Sequence, residues 1–257
     1  MKLKSVITLA ASALITSSPG ALLLHWNLDD AAGTTAADSS GNGYDGGYLT
    51  GAPTWTASGG ADGGFVSFAT ADHAFQTTSF ATIDLGAFTA FSISTWIRTT
   101  STANDTVAVL RTGVGNSYYS SKIQGSTARM TARNTTDLTL NSGQVINDGA
   151  WHHVVAVFRG TDDREIFVDG VSAGTNTVDV PFLTPTGFSI GALDRADGNV
   201  VDEYTGDIDD VQLYDHVVSA ADAAFLFANP GTAIAIPEPT SAMMLGLALG
   251  LGFVRRR

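Results

Sequence analysis

The 257-residue chain has no cysteine, so no disulfide holds its fold, and a large core, with or without a metal, must do that work. Glutamate is nearly missing too: only Glu165, Glu203 and Glu238 occur. No glycine-rich lysine loop for phosphate is present. No long stretch has an apolar period of 3.6, which argues against a helical protein. Basic residues are few. Setting aside Lys2, Lys4, Arg255, Arg256 and Arg257 leaves 8 of the 13 basic residues against 25 acidic ones, a net charge of −17, or −16 without Glu238. Such a balance excludes an electrostatic footprint for nucleic acid, but it names no partner, since acidity also serves solubility.

What is present begins with two special ends. Lys2 and Lys4 precede an apolar run over 5–15 and a small-residue stretch over 16–21. That order predicts a secretory signal peptide over residues 1–21, with the cleavage point open between the bond after Gly20, which sets Ser18 at −3, and the bond after Ala21, which sets Pro19 there. The other end, 237–257, reads in three blocks: Pro237, Glu238 and Pro239, then an uncharged apolar run over 242–254, then Arg255, Arg256 and Arg257. A helix over that run would rise only ~20 Å at ~1.5 Å per residue, short of a bilayer core of about 30 Å. The tail resembles the PEP-CTERM sorting signal, which implies processing by an envelope protease of the exosortase type after transient membrane contact. A plain C-terminal membrane anchor is the alternative, since a basic end also orients an apolar tail.

Between the ends the pattern is β throughout, in short runs separated by Gly, Asn and Asp. Phe91, Ile93, Thr95 and Ile97 share one face of a strand, and Ser92, Ser94, Trp96 and Arg98 the other. Residues 151–158 are apolar on both faces, as in a central strand. Residues 164–168 and 171–177 flank Asp169-Gly170, a hairpin turn. Ser219 and Asp222, spaced as in a capping box, start one short helix that Asn229-Pro230-Gly231 ends. The expected organisation is one domain over 22–230, a linker over 231–236 and the tail. Regular short strands imply a sandwich or barrel.

The motifs LLLHWNLDDAAGTTAADSSGNGYDG (22–46), FTAFSISTWIRT (88–99), DGAWHHVVAVFRG (148–160), IFVDGVSAGT (166–175), FSIGA (188–192) and TGDIDDVQLYDHVVSAADAAFLF (205–227) follow one another in the order of a family. The domain resembles LamG-like members of the concanavalin A-like lectin-glucanase superfamily. The resemblance implies an all-β, two-sheet antiparallel jelly-roll sandwich, often calcium-bound. It also implies recognition of carbohydrate or protein, with some relatives acting as glycosidases.

Candidate chemistry is sparse. Strict alternation in GDIDDVQLYDH sets Asp209 on the face of Val211 and Leu213, and a buried carboxylate needs a cation or several donors. A tight loop holds Asp38 and Asn42, which the resemblance brings beside that strand. Asp38, Asn42 and Asp209 are therefore expected to ligate one structural Ca²⁺. The alternative is that Asp38 makes an Asx-turn and Asp209 accepts backbone N–H bonds. Glycoside cleavage needs two carboxylates about 5–9.5 Å apart. The related glycosidases imply two glutamates flanking an aspartate on one strand, but Glu165 has the wrong spacing and Asp202-Glu203 has no partner. His152 and His153, adjacent on a strand, point to opposite faces and cannot share a metal. Trp26, Trp55, Trp96, Trp151, Tyr118 and Tyr119 could stack on sugars, though core packing is the commoner use.

These features together predict an exported bacterial envelope or surface protein, non-catalytic, that binds polysaccharide or an extracellular matrix component. The rivals are a glycan-cleaving enzyme of the same fold and a structural envelope protein without a discrete ligand.

Overall fold

The alternating runs become strands. In chain order these are β1 (Leu22–Trp26), β2 (Thr35–Ala36), β3 (Gly46–Thr50), β4 (Thr54–Thr56), β5 (Phe65–Phe68), β6 (Ala74–Thr77), β7 (Ala90–Arg98), β8 (Asn104–Thr112) and β9 (Tyr118–Gln124). There follow β10 (Thr127–Arg133), β11 (Asp137–Val145), β12 (Trp151–Arg159), β13 (Asp163–Val168), β14 (Val171–Asn176), β15 (Pro185–Ile190), β16 (Leu193–Asp194), β17 (Val200–Val201) and β18 (Gly206–Tyr214), then the helix α1 (Ala220–Ala228). They come from a computed structural model that describes residues 21–30, 32–69, 74–77, 90–135 and 137–235. All of these fall in the compact unit Gly20–Ala235. The sorting residues Pro237, Glu238, Pro239, Arg255, Arg256 and Arg257, and the signal peptide apart from Ala21, lie outside the described residues.

Two antiparallel sheets result, as expected of a jelly-roll sandwich. Sheet I runs β14-β13-β12-β7-β18-β5-β4, with β1 also paired to β18. Sheet II runs β11-β10-β9-β8-β15-β6-β3-β2. Their inner faces supply one core, in which Phe91, Ile93, Ile97, Val154, Ala156 and Phe158 of sheet I join Leu110, Tyr119, Ile123, Met130 and Phe188 of sheet II. Burying each large apolar side chain stabilises the fold by roughly 1.5–3 kcal/mol. Trp26 is fully buried there, donates from Nε1 to the Tyr44 carbonyl at 2.9 Å, and lies flat on Gly46. A Cβ at Gly46 would sit 2.7 Å from the indole, so glycine is required.

The outer face of sheet I is covered as well. Val155, Val157, Phe167 and Tyr214 pack with Val218, Ala223 and Leu226, the last two from α1. Ser219 and Asp222 cap that helix reciprocally, and Trp96 stacks on Phe227 at 5.6 Å between ring centroids. Trp96 is thus packing, as expected. The Asp169-Gly170 turn is also as expected, with φ of 50° and 76°.

One strand departs from strict alternation. In β18 the register against β7 shifts between Asp209 and Gln212, and Asp210 takes a left-handed backbone at φ 45°. The extra residue resets the parity. Ile208, Val211 and Leu213 enter the core, whereas Asp209 pairs with Trp96 on the outer side. The expected grouping of Asp209 with Val211 and Leu213 is corrected by this bulge.

Candidate functional site

The loop after β2 is closed by its own aspartate. Asp38 Oδ1 accepts from His25 N and Ser40 N, both at 3.0 Å, and Oδ2 from Ser40 Oγ and Tyr44 N, both at 2.9 Å. Burial alone would raise this carboxyl, but the His25, Tyr44 and Ser40 bonds outweigh it and hold it below the usual value. Asn42 Nδ2 donates to the carbonyls of Leu22 and Leu23 at 2.9 and 3.0 Å, tying the loop to β1. Asp209 lies elsewhere, in a cradle from the loop before β5: Oδ2 accepts from Ala61 N at 2.8 Å and Asp62 N at 3.1 Å, and Oδ1 from Asp210 N at 2.8 Å.

Asp38 and Asn42 therefore share a loop, and Asp209 has a different set of partners. Both carboxylates face N–H donors, a lining that suits an anion and not a cation. Among the described residues no three His, Cys, Asp or Glu side chains gather closely enough to hold a metal. As placed, these residues do not fit a shared Ca²⁺. The melting temperature is accordingly expected to be the same with a chelator and with added calcium; a calcium-dependent rise would restore the shared site.

His152 and His153 diverge as their strand requires, pairing with Ile97 and Trp96. His152 bridges Asp169 at 2.9 Å and Asp148 at 3.2 Å. His153 Nε2 meets Ser94 Oγ at 2.8 Å, and its Nδ1 is buried without a partner.

The outer face of sheet II, which the sequence pattern did not single out, carries a polar cluster. Antiparallel partners share a face, so the register places Tyr118, Ser120 and Lys122 of β9 beside Arg133, Thr131 and Arg129 of β10. Arg111 of β8 aligns with Tyr118, and Ser189 of β15 with Val109. The β16–β17 hairpin packs over part of this face through Leu193 and Val201, against Val109 and Tyr118. Of the eight basic residues left after the ends are set aside, five belong here: Arg111, Lys122, Arg129, Arg133 and, on the hairpin, Arg195. The signal was legible as polar residues at every second position in YYSSKIQ and TARMTAR.

The charges are held in place. Lys122 Nζ lies 2.6 Å from Asp202 Oδ2, to which Asn104 Nδ2 also donates at 3.1 Å. Arg133 meets Asp137 at 3.0 Å. Arg129 Nε donates to Asn141 Oδ1 at 2.8 Å, and burial lowers its pKa. Arg111 Nε is 3.2 Å from Asp194 Oδ2 without hydrogen-bond alignment. Burial raises Asp194 and Tyr118, with Asp137 acting on Tyr118 in the same sense. Interspersed with these groups are buried polar atoms that have no protein partner: Thr106 Oγ1, Ser120 Oγ, Ser189 Oγ, Asn104 Oδ1, Arg133 Nε and Arg195 Nε. These six atoms are themselves buried, so the groups of this face that an outside molecule can reach are those such as the half-exposed Arg111, Arg129 and Arg133. Asp137, Asp194 and Asp202 each have a cationic partner, and Glu165 lies on sheet I against Arg159 and Ser172.

Solved structures share this fold. Domain 4 of AbnA, a GH43 extracellular arabinanase from Geobacillus stearothermophilus in complex with arabinotriose, matches with a TM-score of 0.65 and 16% identity, over 81% of this chain and 99% of that one. The binding domain of Paraclostridial Mosquitocidal Protein 1 matches with a TM-score of 0.63 and 11% identity, over 80% of this chain and 52% of that one. The botulinum neurotoxin serotype D binding domain matches with a TM-score of 0.57 and 12% identity, over 81% and 50%. The chain spans about half the length of these toxin domains. At such identities the likeness concerns the fold. No curated protein matches. No helix of the described residues is long and apolar enough to cross a membrane. The Laminin_G_3 family model, described as Concanavalin A-like lectin/glucanases superfamily, matches residues 62–224, well over half of the chain, and the protein belongs to that superfamily.

Proposed function

We propose that the protein is a non-catalytic glycan-binding module of the bacterial cell surface or extracellular matrix. The observation that carries this reading is the outer face of sheet II, where the half-exposed Arg129 and Arg133 are held by Asn141 and Asp137 beside a row of hydroxyl side chains. Sugar hydroxyls both donate and accept, and so complement such a mixed lining. Structural neighbours support the direction: one is an arabinanase domain in complex with arabinotriose, and others are toxin binding domains. The carboxylates of this face are neutralised by cations, which suits binding better than proton transfer. The leader-like residues 1–21 and the tail at 237–257 support export, transient membrane contact and exosortase-type processing at the surface.

A glycan array tests the reading. Saturable binding to at least one glycan is expected, and changing Arg129→Ala together with Arg133→Ala should weaken it by about tenfold or more, since a hydrogen bond to a charged group is worth about 1.5–3 kcal/mol. Melting should change little, because both arginines are half-exposed. Blank arrays with a folded protein would favour the structural-coat reading, and hydrolysis of a bound glycan the enzymatic one.

A further inference from the structure

A depression lies on sheet I, where β7 ends and β12 and β18 begin. It is open, about 240 Å³, and lined by Arg98, Thr99, Thr100, Gly149, Gly206 and Asp207. Arg98 is held before any ligand arrives. Its guanidinium lies over the rings of Phe65 and Trp151, 4.9 and 4.7 Å from their centroids. Its Nε donates to Asp207 Oδ2 at 2.8 Å, and Asp207 Oδ1 accepts from Ser67 Oγ at 2.5 Å. Trp151 is fixed in turn, edge-on to Phe65 at 5.7 Å and donating from Nε1 to the Gly59 carbonyl at 3.0 Å. The register puts Trp151, Arg98, Asp207 and Ser67 in one row across four strands. Gly206 forms a close-packed wall, since a Cβ there would sit 2.5 Å from the Arg98 carbonyl.

The chemistry of the lining selects a ligand class. At 240 Å³ the depression is smaller than pockets for drug-sized molecules, which hold about 300–1,000 Å³, so it suits a single ring. Arg98 and Asp207 cancel in charge, and the domain around them carries a net −16, which disfavours anions. A guanidinium donor beside a carboxylate acceptor matches neighbouring hydroxyls. Side chains already fixed by stacking and by ion pairing cost little further entropy on binding.

We propose that this depression is a second sugar site, on the face opposite the first, that takes one neutral pyranose from a chain end or branch. It stands independently of the sheet II reading. The proposal also gives the molecule two separate points of attachment, the arrangement that lets a small domain cross-link a polysaccharide.

The test is titration of the ¹⁵N-labelled protein with the neutral glycosides methyl α-D-mannopyranoside, methyl β-D-glucopyranoside and methyl β-D-galactopyranoside at millimolar concentrations, with glucuronate as the charged comparison. The Trp151 indole N–H and Arg98 Nε–H signals should shift and saturate with at least one neutral glycoside, and glucuronate should bind at least about tenfold more weakly. Thr100→Trp, at an exposed lining residue, fills the depression without touching the Arg98–Asp207 pair and should weaken binding by about tenfold or more. Absence of any saturable shift, an unchanged affinity in Thr100→Trp, or glucuronate binding as tightly would each overturn the proposal. Shifts confined to Lys122 and Arg129 would place the sugar on sheet II alone and overturn it too.

Discussion

Asp209→Ala is expected to destabilise the domain by about 3 kcal/mol, a fall in melting temperature of about 6–12 °C for a domain of this size. Asp209 is fully buried, and its two oxygens accept the backbone N–H groups of Ala61, Asp62 and Asp210. Two of those donors lie almost 150 residues away in sequence, so the carboxylate pins the loop before β5 onto the bulge of β18. Alanine would leave three N–H groups unpaired, each costing about 1–3 kcal/mol if it stays dry, and the loop can recover part of that by admitting water. Gly60 shows how close the fit is: a Cβ there would sit 2.5 Å from Asp209 Oδ2. Asp209→Asn keeps one acceptor oxygen and should retain more than half of the lost stability. Thermal melts of the two variants decide the matter. Equal and small losses would mean that the cradle is solvated and that Asp209 is not its organiser.

The contrast between strands explains how much could be read from the chain. β7 and β12 have an uninterrupted period of two, so the faces of Phe91 to Arg98 and the central place of residues 151–158 follow from pattern alone. The Asp169-Gly170 turn and the Ser219 cap depend on neighbours within three residues and were equally legible. β18 was not, because a bulge is a choice of backbone, and nothing in GDIDDVQLYDH announces that Asp210 takes φ 45°. Asp209 was singled out correctly as a carboxylate needing partners, and the alternative of backbone donors is the one the structure contains. The donors themselves could not be named, since loop–strand contacts at that separation leave no local trace. The sheet II face fell between these cases. Its alternation was visible in two strands, but only the register aligns Arg111, Lys122 and Arg133 and shows that their neighbours' hydroxyls lack partners. Arg98 against Trp151 was hidden for the same reason, since only the register of β7 with β12 sets the two side by side.

Replacing His153 by glutamine is expected to reveal a pH dependence that the wild-type protein conceals. Burial pushes His153 down from 6.5 to about 4, although Asp210 and Asp169 pull it the other way. The unfolded chain then takes up a proton more readily than the native one, so the His153 contribution is complete above pH 6.5 and is lost as pH falls toward about 4. Asp209 titrates in the opposite sense. Burial, outweighing the Asp62, Asp210 and Ala61 bonds and aided by the Asp210 charge, pushes its carboxyl from 3.8 up to about 7. Its contribution is complete below pH 3.8 and is lost as pH rises to about 7. Each shift corresponds to about 3–4 kcal/mol, and the two windows overlap between pH 4 and 6.5. Within that window one group gains what the other loses, and the wild-type stability should stay nearly level. In His153→Gln the Asp209 slope is no longer opposed by His153, so stability should fall by about 3 kcal/mol from pH 4 to 6.5. In Asp209→Asn the His153 slope is no longer opposed by Asp209, and stability should rise over the same range. Denaturant unfolding at several pH values reads both slopes directly. Parallel profiles for the three proteins would show that neither group titrates in the folded state where its burial places it, and that water reaches the space beneath α1.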